Sequence, residues 1–549
     1  MSGEGRGVWF DPARIVYEDA DLIVVDKPAG VPCQAADPSR PNDLPHRLRG
    51  MIAARDGVDE VYLGIHQRLD QETSGLVLYA KSKRANRPLA AQFESRQIDK
   101  RYVALTTGRP QRGTLRHRLT KPTAGRVHVG SGGKPAVTLI EAVRHVAAHS
   151  RLEVRIETGR THQIRVQLAE VGCPVLGDRV YGGEPAPRLM LHAWKLRLRH
   201  PIGGAALELT AAPPASFEAV LRDDVRPFAA DTVMDSVRRA TERRWGLAAR
   251  TDTDAYRLLN EHGDAVPGLA VDVYGPWLVA QLYDDALERD ALLDLLAGRC
   301  RGVYLKRRPR QANTIVDGRD EAFAPSAPVR GEPAPETLSV QENGIPYRVR
   351  LGEGLSTGLF LDQRDNRRRV RDAAEGKRVL NLFSYTCGFS VAAAVGGASK
   401  TVSVDASRRL LDWGRENLEG AGFSEANHRT VRADVFDLLT RWARRGESFD
   451  LVCVDPPTYS KTKKTRWKSG KDWVRLAKLV LGVLTPGGSV LACSNDRRMS
   501  KDGFRRHWHE AFRDAPHTLA QMKSLPCPSD FPPAPGEEAH LKSLWIDVA

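Results

Sequence analysis

The spacing of apolar and polar residues divides the chain into three stretches. Up to about residue 215, short runs of period two dominate. IVYE (15–18) and LIVVDK (22–27) alternate around an acidic turn and are broken by PAGVP (28–32), which predicts a hairpin followed by a loop. LGIHQRLD (63–70) and GLVLYAKS (75–82) read as strands flanking a polar loop, and RLEVRIET (151–158) alternates again. THQIRVQLAEVG (161–172) changes to helical spacing through Ile164, Leu168 and Val171, with Thr161 as the expected N-cap. The expectation for residues 1–215 is an α+β domain on an antiparallel sheet.

The breaker-rich segment TAAPPAS (210–216) closes this stretch. A charged helical segment near 230–250 follows, and residues 256–283 then read as paired strands around a turn. The proline-rich segment FAPSAPVRGEPAPE (323–336) predicts a loop or linker, so residues 216–336 are expected to form a linker and a small α+β middle domain. From 337 to 549 strand and helix alternate. KRVLNLFSY, KTVSVDAS, HRTVRADVF, FDLVCVDPP and SVLACS are the strands; FSVAAAVGG, RRLLDWGRENLEGAG, DLLTRWARRG and WVRLAKLVLGVL are the helices. This is the rhythm of a doubly wound, Rossmann-like α/β sheet, which binds ligands beyond the carboxyl ends of its strands.

Composition narrows the class. The chain has 549 residues, 41% hydrophobic and 28% charged, which fits a multidomain globular protein. No run of eighteen apolar residues and no leader-like N-terminus is present. Seven scattered cysteines without a CxxC argue against a disulfide framework or zinc site and for a reducing, cytoplasmic setting; no metal is expected. The 83 Lys and Arg against 68 Asp and Glu leave a net charge of +15, which favours a polyanionic partner. The excess is clustered: nine basic residues and no acid lie between Lys100 and Lys134, six lie between Lys461 and Lys471 around Trp467, and a third group is RGVYLKRRPR (301–310). Any one run is equally readable as a solvated face.

Two constellations carry chemistry. In HQRLDQETSGLVLYAKS, Asp70 lies in a polar loop followed by Thr73, Ser74 and Gly75, a composition that also suits a plain turn. VDKPAGVP precedes it, and KRYVAL (100–105), ETGRTHQIRVQLAEVGCPVLGDRVYGG (157–183) and RLMLHAWKLRLRHP (188–201) follow. In this order the segments resemble the RluA family of pseudouridine synthases across residues 14–202. The resemblance implies that Asp70 is the catalytic aspartate, Tyr102 packs at the target base, and Arg165 holds the aspartate ionised, with no cofactor. A carboxylate so held can attack the ribosyl–uracil unit or assist glycosidic cleavage, on a uridine taken out of its stack. The family reads His-Arg-Leu-Asp, whereas here Gln67 precedes Arg68 and His66 lies one place earlier, so no role carries over to His66. His162 reads as structural.

In the last stretch, NLFSYTCGFS is a loose glycine turn between strand and helix, and Asp405, Asp434 and Asp455 end successive strands. An acid after the second strand can accept ribose hydroxyls of an adenosine-type ligand; an NAD enzyme is the alternative, but the turn does not fit G-x-G-x-x-G. With NEHGDAVPGLAVDVYG and STGLFLDQRDNRRRV, the pattern from about 251 resembles class I S-adenosylmethionine methyltransferases, closest to the RlmI/RlmK group acting on 23S ribosomal RNA. The resemblance implies a cofactor pocket of Phe383, Tyr385, Gly388, Asp405, Asp434 and Asp455, closed by Asp362 and Arg364. Methylation at C5 of a pyrimidine needs a thiolate nucleophile. The position of that cysteine in 5-methylcytosine-forming members is Asn495 here, with Cys493 two residues before it; Cys453 and Cys493 read as buried strand residues. DPPTYS and CSNDRR resemble the branch that makes 7-methylguanosine, with Pro456, Pro457, Thr458, Tyr459 and Asn495 at the base. The loop KTKKTRWKSGK is expected to grip phosphates, with Trp467 either a stacking platform or a hydrophobic anchor.

The sequence thus predicts a bifunctional RNA-modifying enzyme that uses S-adenosylmethionine in its C-terminal half and acts on 23S ribosomal RNA. Transfer RNA is also open to the N-terminal half, because relatives of the RluA family use both. The alternatives are a methyltransferase, on guanine or making 5-methylcytosine, whose N-terminal half only binds RNA, and a structural assembly factor.

Overall fold

A computed structural model describes residues 12–34, 43–122, 126–186, 188–222, 230–248, 250–264, 266–283, 289–298, 300–308, 320–461, 466–534 and 537–549. The chain forms two compact units, Met1–Ala249 and Arg250–Ala549.

The first unit is built on a ten-stranded sheet. Its strands are β1 (Ile15–Glu18), β2 (Leu22–Lys27), β3 (Gly64–Ile65), β4 (Ser74–Ala80), β5 (Asp99–Thr107), β6 (Gly113–Leu119), β7 (Lys134–Val146), β8 (His149–Ile156), β9 (Leu191–Arg199) and β10 (Ala206–Thr210). The order is β1-β2-β4-β9-β5-β8-β7-β6, with β3 beside β4 and β10 beside β9. All pairs are antiparallel except β4 and β9, which meet through Ser74–His192 and Gly75–Ala193 only. A Cβ on Gly75, at φ +113°, would lie 2.2 Å from the Ala193 carbonyl oxygen, so this joint admits only glycine. The loop carrying Asp70 ends at the joint, and Tyr102 on β5 is paired with Ala193 from the other side.

Period-two alternation sorts the strands onto two faces. Ile23, Val25, Val77, Tyr79, Val103 and Leu105 form one core with α1 (Leu44–Asp56) and α3 (Gln163–Glu170). Val24, Leu76 and Leu78 form the other with α2 (Lys83–Glu94). Two local expectations fail. Only Gly64–Ile65 of the run 63–70 is strand, because beyond it the loop is tied by side chains: His66 to Asn86 Oδ1 at 2.7 Å and Gln67 Nε2 to the Leu76 carbonyl at 3.2 Å. The N-cap of α3 is His162 in a left-handed conformation (φ +54°), not Thr161, and no side chain caps the helix.

In the second unit, β11 (Ala255–Asn260), β12 (Leu269–Tyr274), β13 (Trp277–Leu282), β14 (Gly302–Arg307) and β15 (Arg330–Gly331) form a five-stranded sheet, and β16 (Leu338–Glu342) and β17 (Ile345–Val349) a hairpin. The α/β sheet comprises β18 (Arg378–Leu382), β19 (Lys400–Asp405), β20 (His428–Arg432), β21 (Phe449–Val454), β24 (Leu484–Ser494), β25 (Leu519–Leu525) and β26 (Lys542–Val548). Its order is β20-β19-β18-β21-β24-β26-β25; the first five strands are parallel and β26 runs antiparallel between β24 and β25. A two-stranded ribbon, β22 (Tyr459–Lys461) with β23 (Arg466–Lys468), follows β21. Strand order reverses at β18 and β21, which opens a crevice at their carboxyl ends. Among the described residues no helix is long and apolar enough to cross a membrane.

The stretch 216–336 is shared between the units. Phe217, Val220 and Leu221 enter the first unit's core, whereas Tyr274, Trp277 and Val279 share a core with Tyr347 and Val391 of the second. The five-stranded sheet thus packs through Tyr274, Trp277 and Val279 onto the rest of the second unit.

Candidate active sites

Asp70 sits on the loop between β3 and β4, and the segment VDKPAGVP braces that loop. The fully buried Lys27 ammonium donates to the carbonyls of Pro28 (3.0 Å), Val31 (2.7 Å) and Gln71 (2.9 Å), and the Gly30 N–H also donates to Gln71 (2.8 Å). Burial pulls the Lys27 ammonium down to about 8. Arg165, on α3, donates from Nη1 to Asp70 Oδ2 at 3.1 Å. Its other edge is clamped by Asp178, Nε to Oδ2 at 2.7 Å and Nη2 to Oδ1 at 2.9 Å. Burial disfavours the Arg165 cation, but Asp178 and Asp70 together more than offset it and raise the guanidinium above its usual range. Arg165 is thus a fixed positive charge aimed at Asp70.

Asp70, Tyr102 and Arg165 line one cavity of about 590 Å³, so the structure brings all three expected residues together. Tyr102 is buried on β5, where desolvation and the Asp70 charge both raise its hydroxyl, keeping it neutral. His66 also faces this cavity, stacked on Phe93 at 5.8 Å. Asp178 and Lys27 went unread in the sequence, and His162 was read as structural: Asp178 lies in GDRVYGG and Lys27 in DKPAG, segments whose composition says only turn.

In the second unit a cavity of about 370 Å³ lies over the carboxyl ends of β18, β19 and β21. Asp362, Phe383, Tyr385, Asp405, Asp434 and Asp455 line it as expected, as do Pro456, Pro457 and Asn495. The turn after β18 holds Phe383, Tyr385 and Cys387 at φ +55°, +50° and +63°, a cluster of left-handed non-glycine residues that marks a constrained site. Asp405 is oriented by backbone donors, Tyr385 N–H to Oδ2 at 3.0 Å and Ser407 N–H to Oδ1 at 2.9 Å, and burial raises its carboxyl. Asp434 caps the helix Val435–Arg444 through Phe436 N–H at 3.0 Å. Burial, and then the neighbouring Asp362 charge, push Asp455 up to about 7 against the opposing bond from Gln363 Nε2 at 2.7 Å. Burial would raise Asp362 as well, but His540, with Nε2 at 2.9 Å, together with the Arg257 and Arg367 charges outweighs it and keeps that carboxyl low.

Two expected cofactor residues do not reach the cavity. Arg364 is buried in an ion pair with Asp530, Nη1 to Oδ2 at 2.8 Å, and serves the scaffold. Gly388 opens the helix Gly388–Val395 behind the turn, its carbonyl accepting from Tyr347 Oη at 3.2 Å. Trp467 is an anchor, not an RNA platform: it is 1% exposed, donates to the Pro457 carbonyl and packs on Trp473 at 5.5 Å while forming part of the cavity wall. Thr458 Oγ1 donates to Asn495 Oδ1 at 2.8 Å. The Tyr459 side chain and residues 462–465 of the basic loop lie outside the described residues.

A larger cleft of about 730 Å³ adjoins this cavity and shares Phe360, Asp362, Tyr385 and Asn495 with it. Its charged lining is mixed: Arg257, Arg308, Arg497, Arg498 and Lys542 stand alongside Glu261, Asp272, Asp362, Glu537 and Glu538, with Arg257 paired to Asp272 and Arg497 to Glu261. Phe360 is 48% exposed at the junction and lies against Tyr385 at 4.9 Å. No cysteine lines either cavity among the described residues, and Cys493 is buried on β24 beside Ser543 Oγ at 3.5 Å, with its thiol pushed well above its usual range by burial.

The residues of the smaller cavity fit an adenosine-type cofactor. Asp405 offers carboxylate lone pairs to ribose hydroxyls, and Val435, Phe436 and Trp467 supply apolar walls for a purine. Fold and crevice therefore define the class of the second unit as a nucleoside-cofactor-binding α/β enzyme, and family comparison makes this specific. The S-adenosylmethionine-dependent methyltransferase family model matches residues 313–546, and the RNA pseudouridylate synthase family model matches residues 21–170. A putative ribosomal RNA large subunit methyltransferase of Bacillus subtilis (strain 168) is 34% identical over 304 residues, 54% of this chain and 75% of that protein. Ribosomal RNA large subunit methyltransferase I of Aeromonas salmonicida (strain A449) is 32% identical over 319 residues, 58% of this chain and 80% of that protein. A solved putative methyltransferase complexed with SAH superposes with TM-score 0.53 at 28% identity, covering 70% of this chain and 98% of that one. The chain belongs to this family of S-adenosylmethionine-dependent large-subunit ribosomal RNA methyltransferases and carries a pseudouridylate synthase domain in its N-terminal half.

Proposed function

We propose that the chain modifies large-subunit ribosomal RNA twice, isomerising a uridine to pseudouridine in its first unit and methylating guanine at N7 in its second. The isomerase reading rests on Asp70 facing a cavity with Arg165 bonded to it at 3.1 Å. In this reaction the N1–C1′ bond breaks with its electron pair leaving on uracil. C5 then bonds to C1′, C5 loses its proton and N1 gains one. The substrate supplies every atom, so a held carboxylate and a shaped pocket suffice.

Bound in the smaller cavity, S-adenosylmethionine would supply an electrophilic methyl group; Asp405, Tyr385 and Phe436 would hold it. The absence of any cysteine from the walls of both cavities among the described residues argues against a C5 adduct, and the likeness of DPPTYS and CSNDRR to the 7-methylguanosine-forming branch favours N7. A ring nitrogen attacks with its own lone pair and needs orientation, not a thiolate. Asn495, bonded to Thr458, lines both cavities and would orient the base, and Arg308 of the larger cleft would meet a flanking phosphate. Mass mapping of large-subunit ribosomal RNA from cells with and without the gene tests both halves. The reading expects one pseudouridine and one 7-methylguanosine to disappear together; loss of a 5-methylcytosine instead would refute the N7 assignment.

A further inference from the structure

Beside Asp70 stands an imidazole for which the isomerase reading has no role. His162 holds φ +54°, which a non-glycine residue adopts at a cost of about 1–3 kcal/mol, and no helix-capping bond of its side chain explains that strain. Its Nδ1 lies 2.9 Å from Tyr181 Oη, and Tyr181 Oη accepts the backbone N–H of Val127 at 2.9 Å. Among the described residues the only acceptor facing the buried Tyr181 hydroxyl proton is His162 Nδ1. Nδ1 therefore accepts, and the proton of the neutral ring sits on Nε2. That nitrogen lies 4.0 Å from Asp70 Oδ2 in the same cavity, too far for a direct hydrogen bond. Burial lowers the His162 pKa, which keeps the ring neutral.

We infer that His162 is a further catalytic residue of the first unit, its Nε2–H donating to the 2-carbonyl oxygen of the uracil that departs from C1′. The inference rests on the isomerase reading. Asp70 must approach C1′, and the 2-carbonyl is attached to the ring carbon next to N1, so a donor within 4.0 Å of the carboxylate is placed for it. Negative charge grows on that oxygen as the N1–C1′ bond breaks. A neutral, pre-oriented donor therefore acts more strongly in the transition state than in the ground state. The chain Val127 N–H, Tyr181, His162 fixes the tautomer, and the Arg165 cation, 5.3 Å from the Tyr181 ring, closes the shell on the other side.

Tritium release from [5-³H]uridine-labelled large-subunit ribosomal RNA, under single turnover with saturating full-length protein, reads the step. His162→Phe is expected to slow release about 100-fold, with RNA affinity changed less than about twofold. His162→Gln, which carries an amide N–H at similar reach, should recover at least about tenfold of that loss. A transcript with 2-thiouridine, whose sulfur accepts poorly, should slow the wild type but not slow His162→Phe further. Equal loss in both variants, loss seen only as weaker RNA binding, or an unimpaired His162→Phe would overturn the inference. An active wild type with an unimpaired His162→Phe sinks this inference alone; a wild type that releases no tritium sinks the isomerase reading and this inference with it.

Discussion

Asp178 is completely buried and takes two parallel hydrogen bonds from the Arg165 guanidinium, leaving Nη1 as the edge that meets Asp70. The buried carboxylate sets the direction of the arginine, and the arginine presents Nη1 to Asp70 at 3.1 Å.

Replacing Asp178 by Asn should therefore impair both stability and isomerisation. Removing one partner of a buried pair leaves the other uncompensated, a cost of roughly 3–5 kcal/mol. Urea unfolding of the first unit's transition and pseudouridine yield should fall together. Retention of full yield would mean that Arg165 does not depend on Asp178 for its orientation.

The same logic applies to Arg364, whose guanidinium is 2% exposed and paired with Asp530. Asp530→Ala should destabilise the second unit by roughly 3–5 kcal/mol, and Arg364→Lys with Asp530 intact should also be destabilised because a point charge cannot replace the bidentate pair. A fall in S-adenosylmethionine affinity without loss of stability would instead restore Arg364 to the cofactor pocket.

Asp455 makes stability depend on pH. Its folded pKa is raised from 3.8 to about 7, so the folded state binds more protons than the unfolded state between those values. Its contribution is complete below about 4 and is lost as pH rises through about 7. Wild type should therefore lose, on the order of, a few kcal/mol relative to Asp455→Asn between pH 4 and 8. Parallel stability–pH curves for the two proteins would show that the carboxyl is ionised throughout.

Cysteine replacement separates the two routes to methylation. Cys453→Ala and Cys493→Ala should retain methyl transfer within about threefold, since both thiols are buried in strands and neither lines either cavity, and should cost mainly packing stability. A loss of transfer beyond about a hundredfold in Cys493→Ala, with folding intact, would reinstate a thiolate mechanism.

The sequence made legible what local pattern controls. Period-two runs located β2, β4 and β8, and alternating strands and helices located the parallel sheet with three acids at its strand ends. Asp70, Tyr102 and Arg165 were readable because each lies in a recognisable segment. What stayed hidden depends on tertiary pairing. GDRVYGG reads as a turn whether or not its aspartate clamps an arginine, and nothing local predicts that His162 is left-handed. Arg364 lies in an arginine-rich helix, and only Asp530, 166 positions away, decides that it is scaffold. The strands β25 and β26 escaped because no segment beyond SVLACS was assigned, although LKSLWIDV alternates. The division at 215 and 336 followed proline content, whereas shared cores put helix Ser216–Leu221 with the first unit and the five-stranded sheet with the second.

The most direct test of two independent chemistries in one chain is mass mapping of large-subunit ribosomal RNA treated with wild type, Asp70→Asn and Asp405→Ala. Asp70→Asn should abolish pseudouridine and leave the methyl mark, and Asp405→Ala should abolish the methyl mark and leave pseudouridine. Pseudouridine formed by Asp70→Asn at the wild-type level would contradict the account.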